Sequence, residues 1–111
     1  MPYNRTMLEF IETPLFTRIL GRYLSDDDYA QLQVFLSEQP EAGSLVRGSG
    51  GVRKLRWAAQ GRGKRGGVRI IYYLRLAEGQ IWLLTLYTKN VKETIPAHVL
   101  KQIKEAIEDD G

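Results

Sequence analysis

The sequence predicts an α+β fold. A small antiparallel β-sheet carries helices packed on one face, in the order β-α-α-β-β-β-α, within one domain spanning residues 1–111. Three observations lead there. Apolar residues recur at helical spacing through residues 15–36 and again through 99–107. Between these stretches the period falls to two, most clearly in the β-branched and aromatic run VRIIYYLRL. A chain of 111 residues also buries enough surface for one modest core and too little for two.

Each element has a local cause. Met7-Leu8-Glu9-Phe10-Ile11-Glu12 alternates over part of its length and reads as a short strand. Thr13-Pro14 then supplies a hydroxyl N-cap and a proline at the first helical position, where a missing N–H costs nothing. Leu15, Phe16, Ile19, Leu20, Tyr23 and Leu24 form the stripe of that helix. Ser25 with Asp28 resembles a capping box, and Asp26 and Asp27 place negative charge where the helix dipole favours it. Tyr29, Leu32, Phe35 and Leu36 make the second stripe, which Pro40 ends. Residues 40–51 read as a glycine-rich loop. Strands follow over Val52–Ala59, Val68–Leu76 and Ile81–Thr88, the last a near-continuous apolar run expected at the centre of the sheet. Thr94-Ile95-Pro96 opens a final helix with Val99, Leu100, Ile103, Ala106 and Ile107 as its stripe.

Composition narrows the chemistry. There is no cysteine, so disulfides, zinc–thiolate sites and thiol nucleophiles are excluded. The one histidine, His98, argues against His-rich metal clusters and a Ser-His-Asp triad; a solvated helical histidine is expected. Asp26, Asp27 and Asp28 splay about 100° apart on a helix and do not converge on one ion. No metal or other cofactor is expected. The N-terminal MPYNRTMLEF lacks the pattern of a signal peptide, and no run approaches the roughly 18 apolar residues of a membrane span. A cytoplasmic location is therefore expected, with no membrane partner.

Charge is unevenly placed. Between Glu41 and Glu78 stand nine basic residues and no acidic one, whereas the rest of the chain has seven basic and thirteen acidic residues. Such a segment suits a polyanion. Strand alternation puts Lys54 and Arg56 on one side and Arg53, Leu55 and Trp57 on the other. Arg69, Ile71 and Tyr73 share a face of the next strand, and Tyr87 and Lys89 share one on the last. An antiparallel meander can gather these cations near one end of the sheet. The connection QGRGKRGG matches a dinucleotide-binding spacing, but a strand follows it instead of a helix, so its glycines are read as letting Arg62, Lys64 and Arg65 reach phosphate. Trp57 and Trp82 read as core residues, as does one of the pair Tyr72 and Tyr73.

The run GGVRKLRWAAQGRGKRGGVRIIYYL, followed by LLTLYTKN, resembles the HigB branch of the RelE/ParE toxin superfamily. The specific features are the K-x-R pair leading through a cationic glycine loop into RIIYY, and the LLT-x-Y-x-KN strand end, together spanning residues 50–90. The resemblance implies the toxin of a bacterial type II toxin–antitoxin system. RelE-like members cut the mRNA codon in the ribosomal A site without a metal, and ParE-like members inhibit DNA gyrase. Carried over by motif, Lys54, Arg56, Arg69, Tyr87 and Lys89 are the catalytic set, with Arg53, Arg62, Lys64, Arg65 and Tyr73 as further RNA contacts. The implied partners are mRNA on the ribosome, ribosomal RNA, a cognate helix-turn-helix antitoxin and, through it, operator DNA. Several RelE-like toxins add a Tyr or His near the final helix, whereas this chain ends IKEAIEDDG, which leaves the general acid and base open. A non-catalytic RNA-binding protein would use the same face.

RNA cleavage without a metal can use the substrate's own 2′-OH. The protein must then take that proton, stabilise a dianionic phosphorane and protonate the leaving 5′-oxygen. Arginines clamp phosphate bidentately and keep their charge. A lysine crowded by arginines gives up its proton more readily, which makes Lys54 or Lys89 a candidate base, with Tyr87 as the alternative.

Overall fold

The computed structural model describes residues 8–58, 67–88 and 95–110. The chain runs β1 (Glu9–Glu12), α1 (Pro14–Tyr23), α2 (Asp26–Glu38), β2 (Ser44–Leu45), β3 (Arg53–Trp57), β4 (Val68–Arg75), β5 (Gln80–Thr88) and α3 (Ala97–Asp110). A short 3-10 turn, Leu76–Glu78, joins β4 to β5 and closes on Gly79, whose φ of 69° is left-handed. The five strands lie in the order β1-β5-β4-β3-β2. The predicted α+β class and the predicted order of elements are observed, with one short strand added. Among the described residues no helix is long and apolar enough to cross a membrane.

The predicted caps form. Thr13 accepts from the Phe16 amide through its hydroxyl at 3.1 Å, and Ser25 accepts from the Asp28 amide at 3.1 Å. Each satisfies one of the orphan donors at a helix start. Phe16, Leu24, Leu32 and Leu36 of the helical hairpin then bury against Leu55, Val68, Ile70, Tyr72, Ile81, Leu83 and Leu86 of the sheet. Side chains of this size contribute roughly 1.5–3 kcal/mol each when fully buried.

Three expectations are corrected. The sheet is mixed, because β1 pairs with β5 in parallel, Glu9 opposite Gln80 and Glu12 opposite Leu83. The helical hairpin between β1 and the rest is long enough to return the chain in that sense. The helices do not share one face: Leu100, Ile103 and Ile107 of α3 pack with Val52, Ile71 and Leu84 on the side opposite the hairpin. A sheet apolar on both faces needs a cover on each, and the stripe of α3 is the second cover. The middle strand is β4; β5 lies between it and β1. The near-continuous apolar run of β5 reflects burial from both sides, not the central place. The added strand β2 is two residues long, exposed, and paired with Lys54 and Arg53 at the edge of the sheet.

One irregularity fixes the phase of β5. Ile71 stands opposite Thr85 and Tyr72 opposite Leu83, so Leu84 is an extra residue, a β-bulge. Leu84 belongs to the α3-side cluster, yet Leu86 returns to the hairpin side, and Tyr87 faces α3. Thr13 braces this point. Its hydroxyl donates to the Leu84 carbonyl at 2.8 Å, and its amide donates to the Leu83 carbonyl at 3.1 Å.

Tyr72 is the core member of the tyrosine pair. Its hydroxyl donates to the Pro40 carbonyl and accepts from the Gly43 amide, both at 2.8 Å. A β-carbon at Gly43 would lie 2.8 Å from that oxygen, so only glycine fits. Tyr73 faces α3 and donates its hydroxyl to the Glu108 carboxylate, which also pairs with Lys104 at 3.4 Å.

Two predictions follow from these contacts. Thr13→Val removes the cap and the brace while keeping the shape; it should cost about 1–2 kcal/mol in a urea unfolding experiment. Burial, with the adjacent Glu108 carboxylate, pushes the Tyr73 hydroxyl from its ordinary 10.0 up to about 12. The unfolded chain then ionises this group first, so its stabilising contribution is complete below pH 10 and is lost as pH rises towards 12. Unfolding midpoints measured across that window should fall less steeply for Tyr73→Phe than for the wild type.

Candidate functional site

Strand pairing brings the predicted cations together on the α3 side of the sheet. Arg56 of β3 stands opposite Arg69 of β4, and Arg69 stands opposite Tyr87 of β5. One rung further along, Ser44, Lys54, Ile71 and Thr85 lie in register across β2 to β5. The bulge at Leu84 is what puts Tyr87 on this face. Without it, unbroken alternation would turn Tyr87 towards the helical hairpin.

Two concavities meet at Lys54. A groove of about 380 Å³ is lined by Ala42, Ser44, Lys54, Arg56 and Arg69. A cavity of about 240 Å³ lies between Lys54, Ile71 and Tyr87 on the sheet and Ile95, Ala97 and Leu100 at the start of α3. The groove is cationic and open. Most residues lining the cavity are apolar, and Lys54 and Tyr87 add polar groups to it.

The electrostatics of this end favour an anion. Among the described residues no carboxylate pairs with Lys54, Arg56 or Arg69. Arg69 donates to the Gly67 carbonyl at 3.2 Å, which steadies the guanidinium without neutralising it. The beginning of α3 overlooks the same end, so its exposed amides and dipole add positive potential. The acidic end of α3 lies elsewhere, where Glu108 meets Tyr73. Burial raises the Tyr87 hydroxyl above its ordinary range, an effect that the Arg69 charge opposes. Tyr87 is therefore a neutral proton donor near pH 7.

The other proposed RNA contacts fall differently. Arg53 lies with Leu55 and Trp57 on the hairpin side of β3. Its guanidinium donates to the Gly43 carbonyl at 2.7 Å and the Glu41 carbonyl at 3.2 Å, holding the loop before β2. Tyr73 shares the face of Arg69 but sits towards the opposite end, opposite Trp82. Arg62, Lys64, Arg65 and Lys89 lie outside the described residues, as does Thr94. Trp57 packs on Phe35 with ring centroids 5.5 Å apart, and Trp82 packs on the α3 side, donating its indole N–H to Gln80. His98 is exposed. Sequence reasoning missed Ser44 beside Lys54 and the cavity under α3, because both arise from long-range packing with no local pattern.

Like charges directly opposite on adjacent strands are destabilising by a few tenths of a kcal/mol or more. Arg56→Gln should thus leave unfolding stability within about 0.5 kcal/mol of the wild type or raise it. The gain should be largest in low salt, where the repulsion is least screened. A loss above about 1 kcal/mol in urea titrations at two salt concentrations would assign Arg56 to the scaffold instead.

No family model matches the chain. Among solved structures, the chain is similar in fold to a double arginine-to-alanine mutant of the E. coli toxin RelE in the free state. The TM-score is 0.54 at 16% sequence identity, over 88% of this chain and 97% of that one.

Proposed function

We propose that this chain, built on a fold it shares with the RelE toxin, is the toxin of a type II toxin–antitoxin system. In this reading it is a HigB-type, metal-independent and ribosome-dependent mRNA endonuclease. The carrying observation is the row Arg56–Arg69–Tyr87 with Lys54 one rung away, on a face where no described carboxylate neutralises them.

Each group has a part in the reaction. Arg56 and Arg69 hold the scissile phosphate and stabilise the extra negative charge of the phosphorane. Their positions on neighbouring strands set the two side chains next to one another. Lys54, which lines both groove and cavity, takes or polarises the proton of the 2′-OH in this reading. Tyr87, kept protonated by burial, suits the donor role towards the leaving 5′-oxygen. Lys89, assigned to the same site by motif, would add a further cation beyond β5. Arg62, Lys64 and Arg65 would contact phosphates along the RNA or ribosomal RNA, where affinity is electrostatic. Arg53 and Tyr73 are engaged in holding a loop and α3, so they are supporting residues in this reading.

The cell must restrain such an enzyme. A cognate antitoxin with a helix-turn-helix domain, which would also bind operator DNA, is the expected partner in the cytoplasm. Docking on the helical hairpin would block access to the narrow A site without covering the cations, and would depend little on salt.

The test is cleavage of mRNA on programmed ribosomes by the purified chain. Arg69→Ala should remain folded and lose about 10²–10³ in rate, the usual effect of deleting one contact to transition-state charge. A folded Arg69→Ala that cuts as fast as the wild type would remove this residue from the site. Intact mRNA together with inhibited DNA supercoiling would replace the reading with a ParE-like gyrase inhibitor.

A further inference from the structure

We infer that the cavity under the start of α3 is a nucleobase pocket, which takes one unstacked base of the bound RNA while its phosphate lies on Arg56 and Arg69. The inference rests on the RNA-directed reading of the cationic groove and extends it to what the protein reads.

The cavity and the groove are contiguous through Lys54, which lines both. Cationic and apolar concavities side by side match the two halves of a nucleotide. Phosphate requires charge, and a base requires a flat apolar slot with an aromatic or aliphatic wall and a few polar groups at its rim. The sheet wall here is Ile71 and Tyr87, and the opposite wall is Ala97 and Leu100 of α3. Lys54 and the Tyr87 hydroxyl supply the polar rim. At about 240 Å³ the cavity is smaller than the sites of drug-sized ligands, and its size suits a single ring system.

The pocket is also built to keep its shape. Its walls come from the middle strands and a helix, and the Val46 side is held by a tight loop. Ser49, fully buried, donates to the Val46 carbonyl at 2.7 Å and accepts from the Val52 amide at 3.0 Å. Gly48 in that loop has a left-handed φ of 80° and approaches Ala97, whose β-carbon lies 3.6 Å from the position a β-carbon on Gly48 would take. A rigid slot discriminates among bases by fit, so this pocket would set which nucleotide beside the scissile phosphate is preferred.

The experiment is a titration of the purified chain with each of the four ribonucleoside 5′-monophosphates, followed by two-dimensional amide NMR, with ribose 5-phosphate as the control that lacks a base. The nucleotides should shift the amides of Val46, Ile71, Ala97 and Leu100 as well as those of Arg56 and Arg69. Ribose 5-phosphate should move only the arginine set and bind at least about tenfold more weakly than the best nucleotide, as expected for one stacked base. Ala97→Leu fills the slot and should abolish the difference between nucleotide and sugar phosphate. Val46→Leu fills it from the other wall and serves if Ala97→Leu does not fold. Equal shifts and affinities for nucleotides and ribose 5-phosphate in the wild type would overturn the pocket, as would the absence of any shift. Base-dependent shifts from a chain that leaves mRNA intact on ribosomes would uphold the pocket while ending the nuclease reading.

Discussion

The candidate site depends on a single backbone irregularity, the extra residue Leu84 in β5. A strand alternates by geometry, so a run as apolar as IWLLTLYT has two possible phases at its far end. The bulge selects the one in which Leu86 enters the core beneath the hairpin and Tyr87 joins Arg69. Thr13 braces it by donating its hydroxyl to the bulged carbonyl. The same threonine caps α1, so one side chain ties the start of the helix to the bulged strand. A residue remote from the cations in both sequence and chemistry thus contacts the irregularity that brings Tyr87 beside them.

The cations are in turn a burden on the fold. Arg56 and Arg69 face one another across a hydrogen-bonded pair of strands with no described carboxylate between them. Such a pair persists only if the surrounding structure outweighs its repulsion. Here that support is apolar: Val68, Ile70 and Tyr72 of the same strand are fully buried on the reverse side. Alternation allows one strand to be a core element on one face and an anion receptor on the other. Screening by a phosphate would relieve the repulsion, so a polyanion would stabilise the folded chain by mass action.

Much of this was legible in the sequence. The caps at Thr13 and Ser25, the stripes of the first two helices and the strand period of Val68–Arg75 are local signals, and the structure follows them. The gathering of Lys54, Arg56 and Arg69 on one face follows from alternation and a meander topology, whereas Tyr87 joins them only through the bulge. What escaped depends on distant partners. Parallel pairing of β1 with β5 has no short-range signature. The choice of face for α3 follows from both sides of β4 and β5 being apolar, which tells that a cover exists but not which helix supplies it. The bulge is invisible in an apolar run because either phase buries a hydrophobic residue. Arg53 shows the opposite case: its alternation already set it apart from Lys54 and Arg56, and membership of a basic segment was the weaker signal.

The parallel pairing of β1 has a kinetic consequence. Thr13 and the Leu84 carbonyl it binds are 71 residues apart, and the β1–β5 ladder spans a similar separation. Contacts of such high order form late, after β4 and β5 have joined across their short turn, because loop closure must precede them. During synthesis the first strand leaves the ribosome long before its partner exists. Until then β5 cannot receive its brace, and the phase that sets Tyr87 beside Arg69 is not enforced. A chain stopped before residue 80 therefore carries all nine cations of the basic segment but lacks β5, and with it Tyr87.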